Sequence, residues 1–293
     1  MMDFRLKVFI EVAAKKNITA VATDMFVSQP AVSKQIKSLE KELNVQLFYR
    51  SKKSGMVLTD VGREILALAK QQAEIDNRIY QAAFRENNFI GGKLRIAALP
   101  ILSTTLLSRA LSIYHKKFPD VSVEIMEGTS REVRKMVIDY TADLGLANSP
   151  FPDVDYDILI PNNRMMGLFP QDAENVPDEI DLRDGTDHLI ICRAGTETML
   201  EELSGKYKIS FAKTLMFEDP HTVLQMVQEG NGIGILTKFT LAAIPNKLRT
   251  CHILPQFRID IGVVANSLND LTPVANEFYK ILKDLTKDLC FLK

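Results

Sequence analysis

From Ile18 to Phe48 the chain sets apolar residues at helical spacing among polar ones. Val32, Ile36, Leu39, Leu43 and Leu47 recur at steps of four, three, four and four, which predicts one buried stripe. Gln29, Ser33, Lys34 and Lys37 are left facing outward. Ser28 is a favourable N-cap, and Pro30 falls in the first turn, where its missing N–H costs nothing. A shorter helix precedes this one across a tight turn, so the pair reads as a helix-turn-helix. Upstream, Asp3–Ala14 reads as an amphipathic helix whose Phe4, Val8, Phe9 and Val12 cover the pair. Downstream, Arg50 and the run Met56-Val57-Leu58 flank a polar tip of Lys52, Lys53, Ser54 and Gly55, the pattern of a wing.

A long helix is predicted next, from Asp60 to about Arg85, with no proline and no glycine after Gly62. Val61, Ile65, Leu68, Gln72, Ile75, Ile79 and Ala82 alternate steps of four and three, a heptad seam. Such a seam packs either on its own domain or on a second copy. Its place between two domains favours the second copy, with Ile65, Leu68, Ile75 and Ile79 as the dimer contacts. Asn87-Asn88 and Gly91-Gly92 then break the linker.

From Lys93 onward strands alternate with helices. Strands are expected at Leu94–Leu99, Val121–Glu127, Leu144–Ala147, Met165–Phe169, Leu189–Cys192, Lys213–Phe217, Ile233–Leu236 and Ile259–Val264. Helices are expected at Ser103–Lys117, Glu132–Tyr140, Thr196–Leu203, Thr222–Glu229 and Pro273–Leu289. That alternation implies a mostly parallel sheet with helices on both faces.

Charge changes this picture more than composition does. The 293 residues suit about two domains, and the overall charge of −1 is unremarked by itself. Residues 1–58, however, hold ten Lys and Arg against five Asp and Glu, a net +5, so the remainder carries −6. A basic head on an acidic body fits docking of one end on nucleic acid. The outward residues of the second helix supply what a major groove requires: amide and hydroxyl groups for base edges, ammonium groups for phosphates.

Catalytic chemistry is not legible. His115, His188, His221 and His252 are scattered, with no partner at metal-ligand spacing. There is no G-x-S-x-G elbow and no Walker loop. Gly230-Asn231-Gly232-Ile233-Gly234 ends a helix and begins a strand, the reverse of a dinucleotide fingerprint, so helix termination and close packing explain it. The expectation is no enzyme, no metal and no cofactor. No apolar run approaches the ~18 residues of a membrane span, and the N-terminal stretch lacks a signal-peptide core. Cys192, Cys251 and Cys290 suit free thiols in a reducing compartment, so a cytoplasmic location is expected.

The run VSQPAVSKQIKSLEKELNVQLFYR, Val27 to Arg50, together with Leu58, Thr59 and Gly62, resembles LysR-type transcriptional regulators. It is similar to that family's second and third helices, wing and entry to the linker helix. Val21 and Val61 stand where small alanines are usual, Lys34 where arginine is common, and Asn44 where glycine is usual. Lys34 matters most, because lysine cannot make the bidentate fork to guanine.

The resemblance implies an α/β protein overall: an all-α winged helix-turn-helix over 1–58, a linker and dimerisation helix over 59–90, and an effector module over 91–293. That module would be two α/β lobes like a type II periplasmic binding protein, lobe I over 91–160 and 266–293, lobe II over 161–265, crossing near Pro161 and Ala265. Ser28, Gln29, Pro30, Ser33, Lys34, Lys37, Arg50, Lys52 and Lys53 would meet double-stranded DNA. A small effector between the lobes would control operator binding or activation. Its candidate contacts are Leu99, Pro100, Ile101, Ser103, Thr104, Thr129, Ser130, Asn148, Thr196 and His221. Several stand at helix N-termini, where free N–H groups favour an anion. The apolar run from Leu99 to Leu102 either meets a hydrophobic part of the ligand or simply packs. A dimer, typically a tetramer, is implied, with RNA polymerase as a candidate partner and no membrane. Peroxide-sensing relatives carry a reactive thiol at the position of Thr196, whereas Cys192 here ends a strand and reads as a buried structural thiol.

Overall fold

Asp3 opens the first helix by accepting from the Arg5 N–H at 2.8 Å. Asn17 opens the second by accepting from Thr19 and Ala20, and Ser28 opens the third by accepting from Ala31 at 3.3 Å. Each is a small polar residue satisfying N–H groups that a helix start leaves free. The computed structural model describes residues 2–51, 55–86, 92–185, 188–211 and 213–287. The chain divides into two units, Met1–Phe89 with Asp139–Thr141, and Ile90–Ile138 with Ala142–Lys293.

The first unit comprises α1 (Phe4–Lys15), α2 (Ile18–Asp24), α3 (Gln29–Leu43), β1 (Phe48–Ser51), β2 (Gly55–Leu58) and α4 (Asp60–Glu86). Its core joins Val8, Phe9 and Val12 to Val21, Ala22, Val32, Ile36, Leu39, Leu47, Phe48, Met56 and Ala69. Two expectations fail at element ends. Phe4 and Leu43, the first residue of α1 and the last of α3, extend past that core and are exposed. Asn44 takes the left-handed conformation, φ +53°, that ends α3. The wing strands pair antiparallel from Phe48↔Leu58 to Ser51↔Gly55. Thr59 then starts α4, accepting from the Gly62 N–H at 2.9 Å while donating to Gln46 O at 2.7 Å. A Cβ on Gly62 would stand 2.3 Å from Leu47 O, so only glycine lets the linker helix seat this closely on the wing base.

The second unit begins with β3 (Gly92–Ala98), α5 (Pro100–Leu102), a π-helical segment Ser103–Leu107, α6 (Ser108–Lys117), β4 (Val121–Glu127), α7 (Ser130–Ile138) and β5 (Leu144–Asn148). It continues with β6 (Asp155–Phe169), β7 (Glu179–Asp181), β8 (Leu189–Cys192), α8 (Glu197–Tyr207), β9 (Leu215–Phe217) and α9 (Pro220–Gln228). β10 (Ile233–Thr237), α10 (Lys238–Ala243), β11 (Arg249–Leu254), β12 (Arg258–Ala265) and α11 (Pro273–Lys287) complete it. The strand order is β4-β3-β5-β12-β6-β10-β8-β9, with β11 beside β6 and β7 beside β11.

Parallel pairing holds on each flank, β3 with β4 and β5, and β8 with β9 and β10. β7 with β11 is parallel too, while every pairing of β6 and β12 is antiparallel, so the parallel pattern expected from the alternation is interrupted at these two central strands. These two strands run through both lobes. Leu159 and Ile160 belong to the first-lobe core and Met165 to the second; on β12, Ile259 belongs to the second and Ile261 to the first. The return crossing therefore lies at Asp260, not near Ala265, because the register Ile259↔Asn163 and Ile261↔Ile160 sets both crossings side by side. α11 is fastened across β6 by Tyr279 Oη donating to Asp157 Oδ2 at 2.6 Å and by the Lys283–Asp157 ion pair at 2.7 Å. Gly230, φ +75°, terminates α9 as its position ahead of a strand implied.

Candidate nucleic-acid interface and inter-lobe cleft

On α3, burial of Val32, Ile36 and Leu39 turns the opposite face to solvent. Ser28, Gln29, Pro30, Lys34 and Lys37 are exposed and Ser33 is half-buried. The side chains of Gln29, Lys34 and Lys37 hold no hydrogen bond or ion pair with another described residue. Two other basic residues of the head are committed within it: Arg5 pairs with Asp3 and Glu42, and Lys15 with Asp24. The Arg5 guanidinium holds the Asp3 carboxyl below its usual range. Arg50 pairs through its backbone with Met56, while Lys52 and Lys53 lie outside the described residues.

The linker seam splits. Ile65 packs against the head's own core, which removes it from the exposed face. Leu68, Ile75 and Ile79 are 63%, 55% and 60% exposed, and Gln72 lies exposed among them at the same spacing. Sequence reasoning passed over Phe26, which is 95% exposed just ahead of Ser28.

Between the lobes lies a narrow cavity closed down to about 20 Å³, the space of a water molecule. Of the residues expected there, Pro100, Ile101, Asn148 and Thr196 line it. Ile101 packs against apolar clusters of both lobes. Asn148 Nδ2 donates to Gly195 O at 2.8 Å, a hydrogen bond from one lobe to the other. Gly195 has φ +87°, and a Cβ there would stand 2.8 Å from Asn148 Nδ2.

The other expected contacts are placed differently. Leu99 is buried in the first-lobe core. Ser103 lies in the π-helical segment with its Oγ buried and without a partner. Thr104 is exposed and donates to Ile101 O at 3.1 Å. Thr129 and Glu132 cap each other, and Ser130 Oγ accepts from the Asn148 N–H at 3.2 Å. Thr196 does not cap α8: its hydroxyl donates to Cys192 O and contacts Arg193 O at 3.2 Å. His221 is exposed beside Leu224 and Asn246, outside the cavity. Asn163, Glu218, Thr237 and Thr240 do line the cavity and were not foreseen. Asn163 sits on the crossing strand, whose polar stretch carries no strand signal.

Among the described residues no Lys, Arg or His lines this cavity, although Arg193 approaches the lining Glu218 at 3.7 Å from outside it. The helix starts around it are occupied by the chain's own carboxylates. Glu132 Oε2 accepts from Thr129 N–H at 2.8 Å, and Asp219 accepts from His221 and Thr222 N–H at 3.2 and 3.1 Å. Glu197 Oε2 accepts from Gly195 N–H at 3.1 Å, while its Oε1 is buried without a partner. Burial pushes the Glu197 carboxyl up, against the pull of those N–H groups. Burial likewise raises the Cys192 thiol to about 12, so at neutral pH it is a protonated thiol with its Sγ 3.4 Å from Glu218 O. Cys251 is also buried, and Cys290 lies outside the described residues. Among the described residues no cluster of His, Cys, Asp and Glu is fit to hold a metal, and no helix is long and apolar enough to cross a membrane.

Comparison with known proteins accounts for both units. Residues 4–63 match the family described as bacterial regulatory helix-turn-helix protein, lysR family, and residues 88–287 match the LysR substrate binding domain. An uncharacterized HTH-type transcriptional regulator, YoaU of Bacillus subtilis (strain 168), is 39% identical over 280 residues, covering 95% of this chain and 96% of the relative. HTH-type transcriptional regulator CysL of the same organism is 26% identical over 249 residues, 80% of each chain. A full-length OxyR variant from Pseudomonas aeruginosa shares the fold with a TM-score of 0.73 at 22% identity, over 98% of this chain and 95% of that one. Full-length CbnR in complex with its target DNA does so at 0.59 and 20%, over 97% and 99%. The chain therefore belongs to the LysR family, as a DNA-binding transcriptional regulator with an effector-binding domain rather than an enzyme.

Proposed function

We propose that this regulator binds its operator as a dimer held by the Leu68–Ile79 face of α4, and that a small molecule entering the inter-lobe cavity sets its activity. Bacterial cytoplasm is the setting, and assembly to a tetramer and contact with RNA polymerase rest on the family alone. The observation that carries the effector reading is the Asn148–Gly195 bond, which closes one lobe on the other beside the cavity. A ligand can shift such a molecule only by binding the open and closed arrangements unequally, and a cavity lined from both lobes supplies that difference.

The cavity's chemistry selects the class of ligand. A strong anion would find no cationic side chain among the described lining residues, Arg193 being already paired with Glu218, and the neighbouring helix starts already hold Glu132, Glu197 and Asp219. A neutral or cationic molecule with an apolar body suits Ile101, Leu236 and Phe239, with Glu218, which also faces Arg193 at 3.7 Å, as acceptor for its donors, while Asn163 Oδ1 already accepts from Phe239 N–H at 2.9 Å. Calorimetric titration of the full-length protein with matched small amines, amides and carboxylates tests this. Heat from a carboxylate alone would overturn the class and leave the cleft in place; binding unaltered in Asn148→Ala and Thr237→Ala would overturn the cleft.

A further inference from the structure

α2 closes with both backbone bonds of a Schellman ending. Phe26 N–H donates to Thr23 O at 3.2 Å, and Val27 N–H donates to Ala22 O at 2.9 Å. Ala22 and Val27 then pack together in the core of the head. This ending requires a left-handed residue between them, and glycine or asparagine is favoured because a larger side chain is penalised there. The residue is Phe26, at φ +55°. Its side chain is 95% exposed and takes no part in the apolar core. A lone exposed apolar residue is ordinary. An aromatic that also occupies a backbone conformation suited to glycine opposes folding twice, and it does so at the edge of the DNA-binding face.

Phe26 precedes the Ser28 cap by two residues, within about 7 Å along the chain. Ser28, Gln29 and Pro30 that follow are all exposed. The exposed ring therefore adjoins the surface proposed above to meet DNA, and the inference rests on that reading. It has no hydrogen-bonding group, so it can neither hold a phosphate nor read a donor or acceptor. The one apolar mark on a base edge in the major groove is the thymine methyl. We propose that Phe26 is a base-reading residue whose ring packs on the 5-methyl group of a thymine beside the bases met by Gln29.

The test uses the full-length protein and the duplex that wild type selects from a random-sequence pool. Copies of that duplex carry uracil at one thymine at a time, which removes only the methyl. Wild type should lose roughly fourfold in affinity at one thymine per half-site, the worth of one buried methyl. Phe26→Gly should bind the thymine duplex more weakly by at least that factor, ignore the same replacement, and melt at a higher temperature. Phe26→Tyr keeps the ring and should keep the sensitivity. Unchanged affinity in Phe26→Gly, or sensitivity to uracil identical to wild type, would overturn the assignment. Equal weakening on a mixed-sequence duplex would place the ring on the sugar–phosphate backbone instead, and a lower melting temperature would show that the ring packs within the fold; either outcome also rejects it.

Discussion

The head and the cleft use similar side chains in opposite ways. On α3, Gln29, Lys34 and Lys37 are left exposed and uncommitted, each a group that is satisfied only by something outside the chain. In the cleft, Asn148 and Thr196 spend their polar atoms on the protein itself, as Thr129 and Ser130 do at the nearby start of α7. The head is thus preorganised for its partner and loses little internal bonding on contact. The cleft is bridged by the Asn148–Gly195 bond, which under the proposed function a ligand would have to replace. Two regions rich in Ser, Thr, Asn and Gln can therefore be told apart by where their hydrogen bonds go.

That contrast breaks most severely at the linker. Ile75 and Ile79 stand exposed on α4 like the residues of α3, yet they are apolar, so their missing partner is a second apolar surface. Ile75→Glu with Ile79→Glu would place charge in that contact at a cost of several kcal/mol. Light scattering should then report smaller assemblies, and affinity for paired half-sites ~34 Å apart should fall. An unchanged assembly would mean that another surface joins the copies. Next in size is Gln29→Ala, with an expected loss of ~1–3 kcal/mol on the selected operator and relaxed preference at one or two positions. Equal weakening on mixed-sequence duplex would show a residue that positions rather than reads.

The head was legible in the sequence because its elements are local. A cap at Ser28, a stripe at helical spacing and a polar remainder define α3 within fifteen residues, and the structure departs only at Phe4 and Leu43, where elements end. Phe26 escaped because its significance depends on a backbone angle, not on residue type. The cleft was legible only as a list of helix starts. Which of these converge is decided by β6 and β12, and β6 carries its crossing through Pro161, Asn162 and Asn163, which look like a loop. Asn163 and Thr237 therefore went unseen, while Thr104 and His221 were expected in a cavity they do not line. Spacing along a chain also cannot reveal that Thr196 turns its hydroxyl back onto Cys192 O.

A smaller perturbation probes the closed cleft directly. Asn148→Ala removes the bond to Gly195 O while the backbone bond to Ser130 remains, so closure should weaken by ~0.5–1.5 kcal/mol. Hydrogen exchange at the Gly195 and Thr196 amides should quicken while exchange within α3 stays at the wild-type rate. If the amides around Gly195 were as protected as before, the bond would be incidental to closure and the contrast with the head would lose its main support.

The smallest effect is expected at Glu197, and its sign is set by pH. Burial raises this carboxyl above its usual range in the folded chain, so the native state holds the proton more tightly than the unfolded one. Its contribution is fully present below the carboxyl's ordinary value near 4.5 and is lost as pH rises through the folded value. Ionisation of the group in the folded chain is therefore a burden, with Oε1 buried and without a hydrogen-bond partner while Oε2 keeps its bond from Gly195. Glu197→Gln retains the shape and an acceptor for Gly195 N–H but cannot ionise. It should melt slightly higher than wild type at pH 7, and that advantage should disappear as both proteins are taken below pH 4.5. A head that gains stability in step would locate the effect outside the cleft. A variant that melts lower at pH 7 would show instead that the charge itself is held favourably by the helix starts around it, and the cleft would then be closed by electrostatics as well as by Asn148.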